Sequence, residues 1–208
     1  MLEHGATVAR TDDDMVRYHG KLMIIDKKIL FVMGFNYTAL DIHRSRSLGV
    51  TTRKPANIRE ALRVIQTDED RSESFHPRKS DLVISPENSR RQLTRFIRKA
   101  KRQLLIYDSG LTDDAMIAEL RKRAKAGVRI KILGRLDKKW HGRGLKSKNL
   151  HVRLHIRAMM RDGQRAFLGS QSMRRLELDE RREVGIMVRD ATIVKRLERL
   201  FKSDWKKS

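Results

Sequence analysis

Two histidines occur in the same setting at two places in the chain. His19 is followed by Lys21 and Asp26, and His155 by Arg157 and Asp162, each in the pattern His-x-Lys/Arg-x4-Asp. An imidazole beside a fixed cation suits attack on a phosphodiester. The cation neutralises charge on the non-bridging oxygens while the imidazole attacks phosphorus or transfers a proton. Splitting that displacement into two steps through a covalent phosphohistidine requires a second imidazole. It first protonates the leaving oxygen and then activates the incoming water or alcohol. Two copies supply two histidines, so His19, Lys21, Asp26, His155, Arg157 and Asp162 are the candidate catalytic residues. In a strand, residues two apart share a face at roughly 6.6 Å, so each histidine is expected to project alongside its cation.

A single histidine on a half-buried strand ordinarily does no more than satisfy a local hydrogen bond. The duplication argues against that here. VRYHGKLMIIDKKILFVMGFN (16–36) superposes without a gap on VRLHIRAMMRDGQRAFLGSQS (152–172). The register continues through Asn36 with Ser172, Leu40 with Leu176, Arg46 with Arg182, Ser47 with Glu183 and Gly49 with Gly185. Asn36, Ser170, Ser172 and Glu183 are the candidate supporting and phosphate-binding residues.

These residues resemble the phospholipase D superfamily, whose pattern is His-x-Lys-x4-Asp-x6-Gly-Ser-x-Asn, twice, often followed by Glu-x-Gly. The ending LELDERREVGIMVRD…LFKSDW is similar to the bacterial cardiolipin synthase-like branch. The resemblance implies an α/β fold of two pseudo-symmetric repeats, with mixed sheets flanked by helices. It also implies hydrolysis or transfer of a phosphatidyl group through a phosphohistidine, with a phospholipid substrate and with neither cofactor nor metal. A nuclease on the same scaffold, or a non-catalytic fragment that binds anionic lipid or nucleic acid, are the alternatives. The sequence departs from the pattern at Arg157, where lysine is usual, at Ser172 for asparagine, at Met33-Gly34 for Gly-Ser, and at Ser47 for glutamate. Only the second copy has a carboxylate at the Glu183 position. If Glu183 serves the histidine of its own copy, His155 is the general acid and His19 the nucleophile, the role that the resemblance also lends to the first-motif histidine.

The elements that must position these groups can be read in outline. Residues 14–36 alternate as strands around a turn at Asp26-Lys27-Lys28, and from Asn57 the spacing becomes helical. Residues 66–80 have no apolar periodicity and read as a linker. Beyond it come a strand at Leu82, a helix capped by Ser85 with Pro86 in its first turn, a strand Gln103–Tyr107, and a helix opened by Thr112-Asp113-Asp114. Next are a strand Val128–Leu133, a basic loop 137–149, strands Val152–Met159, Ala166–Leu168 and Glu183–Val188, and a closing helix with Ile193, Leu197, Leu200 and Phe201 inward. The domain reading is a truncated first repeat (1–66), a linker (67–80) and a complete second repeat (81–208). The first repeat lacks counterparts of 86–133, which an upstream segment or a second copy in a homo-oligomer would supply.

The net charge of +22 favours anionic partners: nucleic acid, an acidic membrane face or a phosphorylated substrate. There is no cysteine, which excludes disulfides, thiolate catalysis and zinc-thiolate sites. No apolar run reaches the ~18 residues of a membrane span, and the N-terminal residues lack a basic-then-apolar pattern. The expected location is cytoplasmic or peripheral to a membrane. The basic loop around Trp140 could gate a pocket or lie solvated. His4, His43, His76 and His141 show no metal-ligand spacing, whereas His151 shares a strand face with His155.

Overall fold

The computed structural model describes residues 17–70, 75–142 and 144–208. In chain order the elements are β1 (Leu22–Ile25), β2 (Ile29–Met33), α1 (Ala39–His43), β3 (Ser45–Arg46), β4 (Gly49–Thr52), α2 (Pro55–Asp70), β5 (Leu82–Ser85), α3 (Ser89–Arg98) and β6 (Gln103–Leu111). They continue as α4 (Asp114–Lys125), β7 (Arg129–Leu136), β8 (Leu145–Lys148), β9 (Arg153–Leu154), β10 (Arg157–Arg161), β11 (Arg165–Gly169), α5 (Arg175–Asp179), β12 (Glu183–Val188) and α6 (Ala191–Lys207).

The larger sheet has the order β5-β12-β11-β10-β6-β7-β8. β6, β7 and β8 run parallel and the other neighbours antiparallel, so the sheet is mixed. Its central strands β12, β11, β10 and β6 are apolar on both faces, the pattern of a sheet covered twice. Leu104 and Ile106 pack with Leu93, Phe96 and Ile97 of α3 and Met116, Ile117 and Leu120 of α4. Leu105 and Tyr107 face the other way, into a cluster with Val194, Leu197 and Phe201 of α6. The chain is thus an α/β protein with helices on both faces of a mixed sheet.

A second, three-stranded sheet has the order β1-β2-β4. Its Leu30 and Val32, with Ile58, Ala61 and Val64 of α2, belong to the same core cluster as α6. One hydrophobic core therefore spans both sequence copies. β1 is an edge strand with Met23 and Ile25 outward, 38% and 39% exposed. Its counterpart β10 is flanked on both sides, by β11 and β6.

Each motif strand opens a hairpin. Asp26 and Lys27 (φ 51° each) turn β1 into β2, and Asp162 (φ 56°) with Gly163 (φ 71°) turns β10 into β11. Two consecutive left-handed residues match the twist of the flanking strands, and aspartate and glycine tolerate that conformation. Asp162 has a further task. Its carboxylate accepts the backbone N–H groups of Lys101, Arg102 and Gln103, fixing the entry to β6.

Several expectations need correction. Ser85 does not cap α3: it is the ladder partner of Glu183, and the N-cap is Asn88, three residues later. Asn88 Oδ1 instead accepts the Ile84 N–H and closes the turn between strand and helix. Of the stretch read as a linker, residues 67–70 continue α2, and Phe75 is buried with Arg63 and Arg182 over its ring; residues 71–74 lie outside the described residues. The basic loop contains a 3₁₀ turn (Lys138–Trp140) and β8, separated from β10 by β7 and β6. That places it away from the motif strand, against the first of its two readings, a gate; its Arg143 lies outside the described residues, as do Val16 and His4. In α6, Val194 is buried and Ile193 is exposed.

Burial opposes ionisation of Asp162, but its three backbone donors outweigh that and hold its pKa below the usual aspartate value. Its stabilising contribution is therefore present above about pH 4 and lost as pH falls through the lowered pKa. Asp162→Ala should cost about 2 kcal/mol in denaturant unfolding at pH 7. The difference from the unsubstituted protein should shrink in strong acid.

Candidate active site

Both histidines sit where the backbone leaves one sheet pairing and enters another. The His19 N–H donates to the Arg182 carbonyl, and Arg182 N–H to the Arg17 carbonyl. At the equivalent place the His155 N–H donates to the Arg46 carbonyl, and β3 pairs in parallel with β9. Tyr18 bridges Arg182 as Leu154 pairs with Arg46. Each histidine is thus held by the other copy's backbone rather than lying within a continuous strand. This breaks the strand expected across Val152–Met159, because His155 and Ile156 separate β9 from β10. The copies also approach closely at β2 and β11, where a Cβ on Gly34 would fall 2.9 Å from the Gly169 carbonyl oxygen.

The side chains cross in the same way. His19 Nδ1 lies 3.0 Å from each carboxylate oxygen of Glu183, which is completely buried. His155 Nδ1 lies 3.0 Å from Asp41 Oδ1. Asp41 is itself buried, and accepts from the Asn36 N–H and Nδ2 and from Arg153. Glu183 therefore does not serve the histidine of its own copy, and the basis for making His155 the acid is removed. At position 47, the counterpart of Glu183, the Ser47 hydroxyl is buried and makes no hydrogen bond, while Asp41 does the carboxylate's work. In each ring the carboxylate contact is made at Nδ1, not at Nε2.

Cations gather around these pairs. Lys21 Nζ donates to the His19 carbonyl and Arg157 Nη1 to the His155 carbonyl, so each cation folds back on the backbone of its own histidine. Arg157 Nε also donates to the Ser172 hydroxyl, and Arg181 reaches Glu183. Burial pushes Lys21 down to about 8; Glu183 opposes this, and Arg157, Arg181 and Arg17 add to it. His155 is likewise lowered by burial, against the pull of Asp41, with Arg157, Arg153 and Lys21 contributing. Asp41 is held below the usual aspartate range: burial works the other way, but the Asn36 N–H, Arg153 and His155 outweigh it.

His19, Lys21, His155, Arg157 and Glu183 are thus brought together. Asn36 and Ser172 are present as orienting groups, one for Asp41 and one for Arg157. Asp26 and Asp162 are not part of the cluster. Both lie at hairpin turns, four to five residues along the strands, where their φ angles and the Asp162 backbone bonds account for them. Ser170 binds the Val184 backbone at a sheet corner. Asp41, Arg153, Arg181 and Glu177 were not singled out by motif. The repeat contained a signal for two of them: Asp41 and Glu177 are register equivalents, and each accepts the N–H of its copy's Asn36 or Ser172. Among the described residues no group of three histidines and carboxylates could hold a metal ion, and no helix is long and apolar enough to cross a membrane.

A mixed sheet covered by helices, with two histidine motifs at its strand ends, defines a phospholipase D-like protein. Residues 93–205 match the family model described as cardiolipin synthase, PLD-like domain, and the chain belongs to that family. No curated protein matches the chain. Among solved structures it is similar to the polyphosphate kinase of Porphyromonas gingivalis, at 19% identity and a TM-score of 0.71. The match covers 89% of this chain but 32% of the kinase, so the chain spans about a third of that protein's length. Nuc from Salmonella typhimurium, a phospholipase D family member, matches at 16% identity and TM-score 0.54, over 60% of this chain and 92% of its own. The phosphatidylserine synthase of Haemophilus influenzae matches at 8% and 0.69, over 88% and 61%.

The crossed pairing makes a directional prediction. Asp41 is the group that raises the His155 pKa, so Asp41→Asn should lower the titration midpoint of the His155 ring further, read by NMR. The His19 resonances should be little changed. Movement of the His19 signals instead would mean that Asp41 serves the histidine of its own copy.

Proposed function

We propose that this protein cleaves and transfers phosphodiesters through a phosphohistidine, with the two histidines acting on one phosphate. The observation that carries the reading is the crossed arrangement. Each imidazole is oriented at Nδ1 by a buried carboxylate from the other copy, with Arg157 near enough to Lys21 to lower its pKa. That arrangement supports a pseudo-twofold site assembled from both repeats, 17–66 and 81–208.

His155 is the ring whose surroundings keep it neutral, so it is assigned as the nucleophile and His19 as the proton carrier. Nε2 of His155 attacks phosphorus, the bond to the leaving oxygen breaks, and that oxygen takes the proton from His19. Neutral His19 then removes a proton from water or an alcohol, which attacks phosphorus and releases His155. Lys21 and Arg157 neutralise the non-bridging oxygens in both steps. The assignment reverses the roles expected from motif order. The match to a cardiolipin synthase domain favours a phospholipid as substrate. The net charge of +22 favours nucleic acid as the second reading.

His19→Ala and His155→Ala should each lower turnover by about 10³-fold. Protein quenched at alkaline pH during turnover should carry phosphate on a peptide containing His155, and label on a His19 peptide would exchange the two roles. Turnover should rise as pH passes the lowered pKa of His155, below its ordinary 6.5, and fall as Lys21 loses its proton at about 8. Lys21→Arg keeps its charge at any working pH, so the alkaline limb should move above pH 8. An unmoved limb assigns it to another group.

A further inference from the structure

Helix α3 bears a row of cations that the two-histidine site does not use. Arg91, Arg95 and Arg98 recur at i, i+4 and i+7, and Arg102 extends the row past the helix end. Leu93, Phe96 and Ile97 are buried on the opposite side, so the row faces solvent. Exposure is the ordinary state of such residues. What distinguishes this row is that the acids around it are already engaged. Arg182 takes Glu87, Arg90 takes Asp113 and Asp179, and Arg98 with Lys122 takes Glu119. Asp162 is occupied by backbone N–H groups, and Asp81 by Lys54 and Arg189. Among the described residues, Arg91, Arg95, Lys99 and Lys101 have no carboxylate partner within ion-pair distance.

The surface is also concave. A cavity of about 390 Å³ lies between α3 and the β10–β11 hairpin, lined by Arg95, Lys99, Arg161, Arg165 and Arg189. It shares Lys99 and Arg161 with a second of about 840 Å³ at the helix end, which adds Lys101, Arg102 and Arg123. Burial lowers the Arg161 pKa; Asp162 opposes the shift and Arg165 adds to it. α3 follows Ser85, the ladder partner of Glu183, and runs about 15 Å from there. Arg161 lies four residues, about 13 Å, along β10 from Arg157. The basic trough therefore lies at the hairpin end of β10 and β11, about 13 Å along β10 from Arg157.

We propose that the α3 face is a binding track for the phosphate backbone of a nucleic acid. Arginine, whose planar fork pairs with phosphate oxygens, outnumbers lysine along it. A membrane-docking face would need exposed apolar side chains among the cations. Met23, Tyr37, Leu40 and Ile42 lie in the first copy, Val152, Leu176 and Ile193 lie outside α3 and the β10–β11 hairpin, and Phe96 in the trough is buried. The track rests on charge and shape, and stands whichever phosphodiester the histidines cleave.

The test compares two variants of equal charge. Arg91→Ser, Arg95→Ser and Lys99→Ser together remove three cations from the α3 face. Lys195→Ser, Arg196→Ser and Arg199→Ser remove three exposed cations from α6. Binding of a fluorescent 30-nucleotide single strand, measured across a salt series, should weaken roughly tenfold or more in the α3 variant. Its log–log salt slope should flatten by roughly 2. The α6 variant should bind within about twofold of the unsubstituted protein. Equal losses in both variants would show diffuse attraction to a basic protein and overturn the track. So would unchanged oligonucleotide binding in the α3 variant, or no binding by the unsubstituted protein. Loss confined to phosphatidylglycerol vesicles would reassign the face to a membrane. Circular dichroism melts should coincide, since none of the six side chains makes an ion pair among the described residues.

Discussion

Glu183 is completely buried, and an ionised carboxylate taken out of water costs several kcal/mol unless it is paired. His19 and Arg181 contact it directly, and Lys21 and Arg157 complete the surrounding charge. Asp41 imposes the same demand on the other side and is met by His155, Arg153 and the Asn36 amide. Two buried acids thus concentrate cations at one place and fix which nitrogen of each imidazole remains available. Burial, and after it the neighbouring cations, lower the pKa values of Lys21 and His155 against the pull of the two acids.

Much of this was legible in the residues. The ungapped repeat identified both histidines, both cations and both hairpins, because an equal register implies an equal local fold. The apolar faces of α3, α4 and most of α6 followed from their 3.6-residue period. Less legible was which group faces which. A register shows that Glu183 and Ser47 are equivalent; it carries no information on whether Glu183 turns toward His155 or crosses to His19. That choice is made by long-range backbone pairs, such as His19 with Arg182, which leave no mark in local sequence. The two motif aspartates show a related limit: a residue set in a left-handed turn, as both are, or held by backbone donors, as Asp162 is, looks in sequence the same as one held for chemistry.

The stretch after α2 shows a different limit. Residues 67–70 are polar enough to read as a linker, yet they finish a helix whose earlier turns supply the buried face. Asp68 then pairs with Arg182, next to the buried Phe75, and ties this segment to the strand that carries Glu183. A segment judged by composition alone was therefore part of the frame that aligns the site.

The crossed contacts have a consequence for how such a chain changes over generations. If each copy held its own histidine, either repeat could drift or decay while the other kept a working half. Here position 183 answers to position 19, and position 41 to position 155. The residues that must change in step are therefore far apart in sequence and belong to different motifs. Position 47 fits that pattern: it carries serine where the second copy has Glu183, and Asp41, six residues before it in the same copy, contacts the opposite ring. Inheritance would then follow the partnerships across the molecule rather than the boundaries of the repeats.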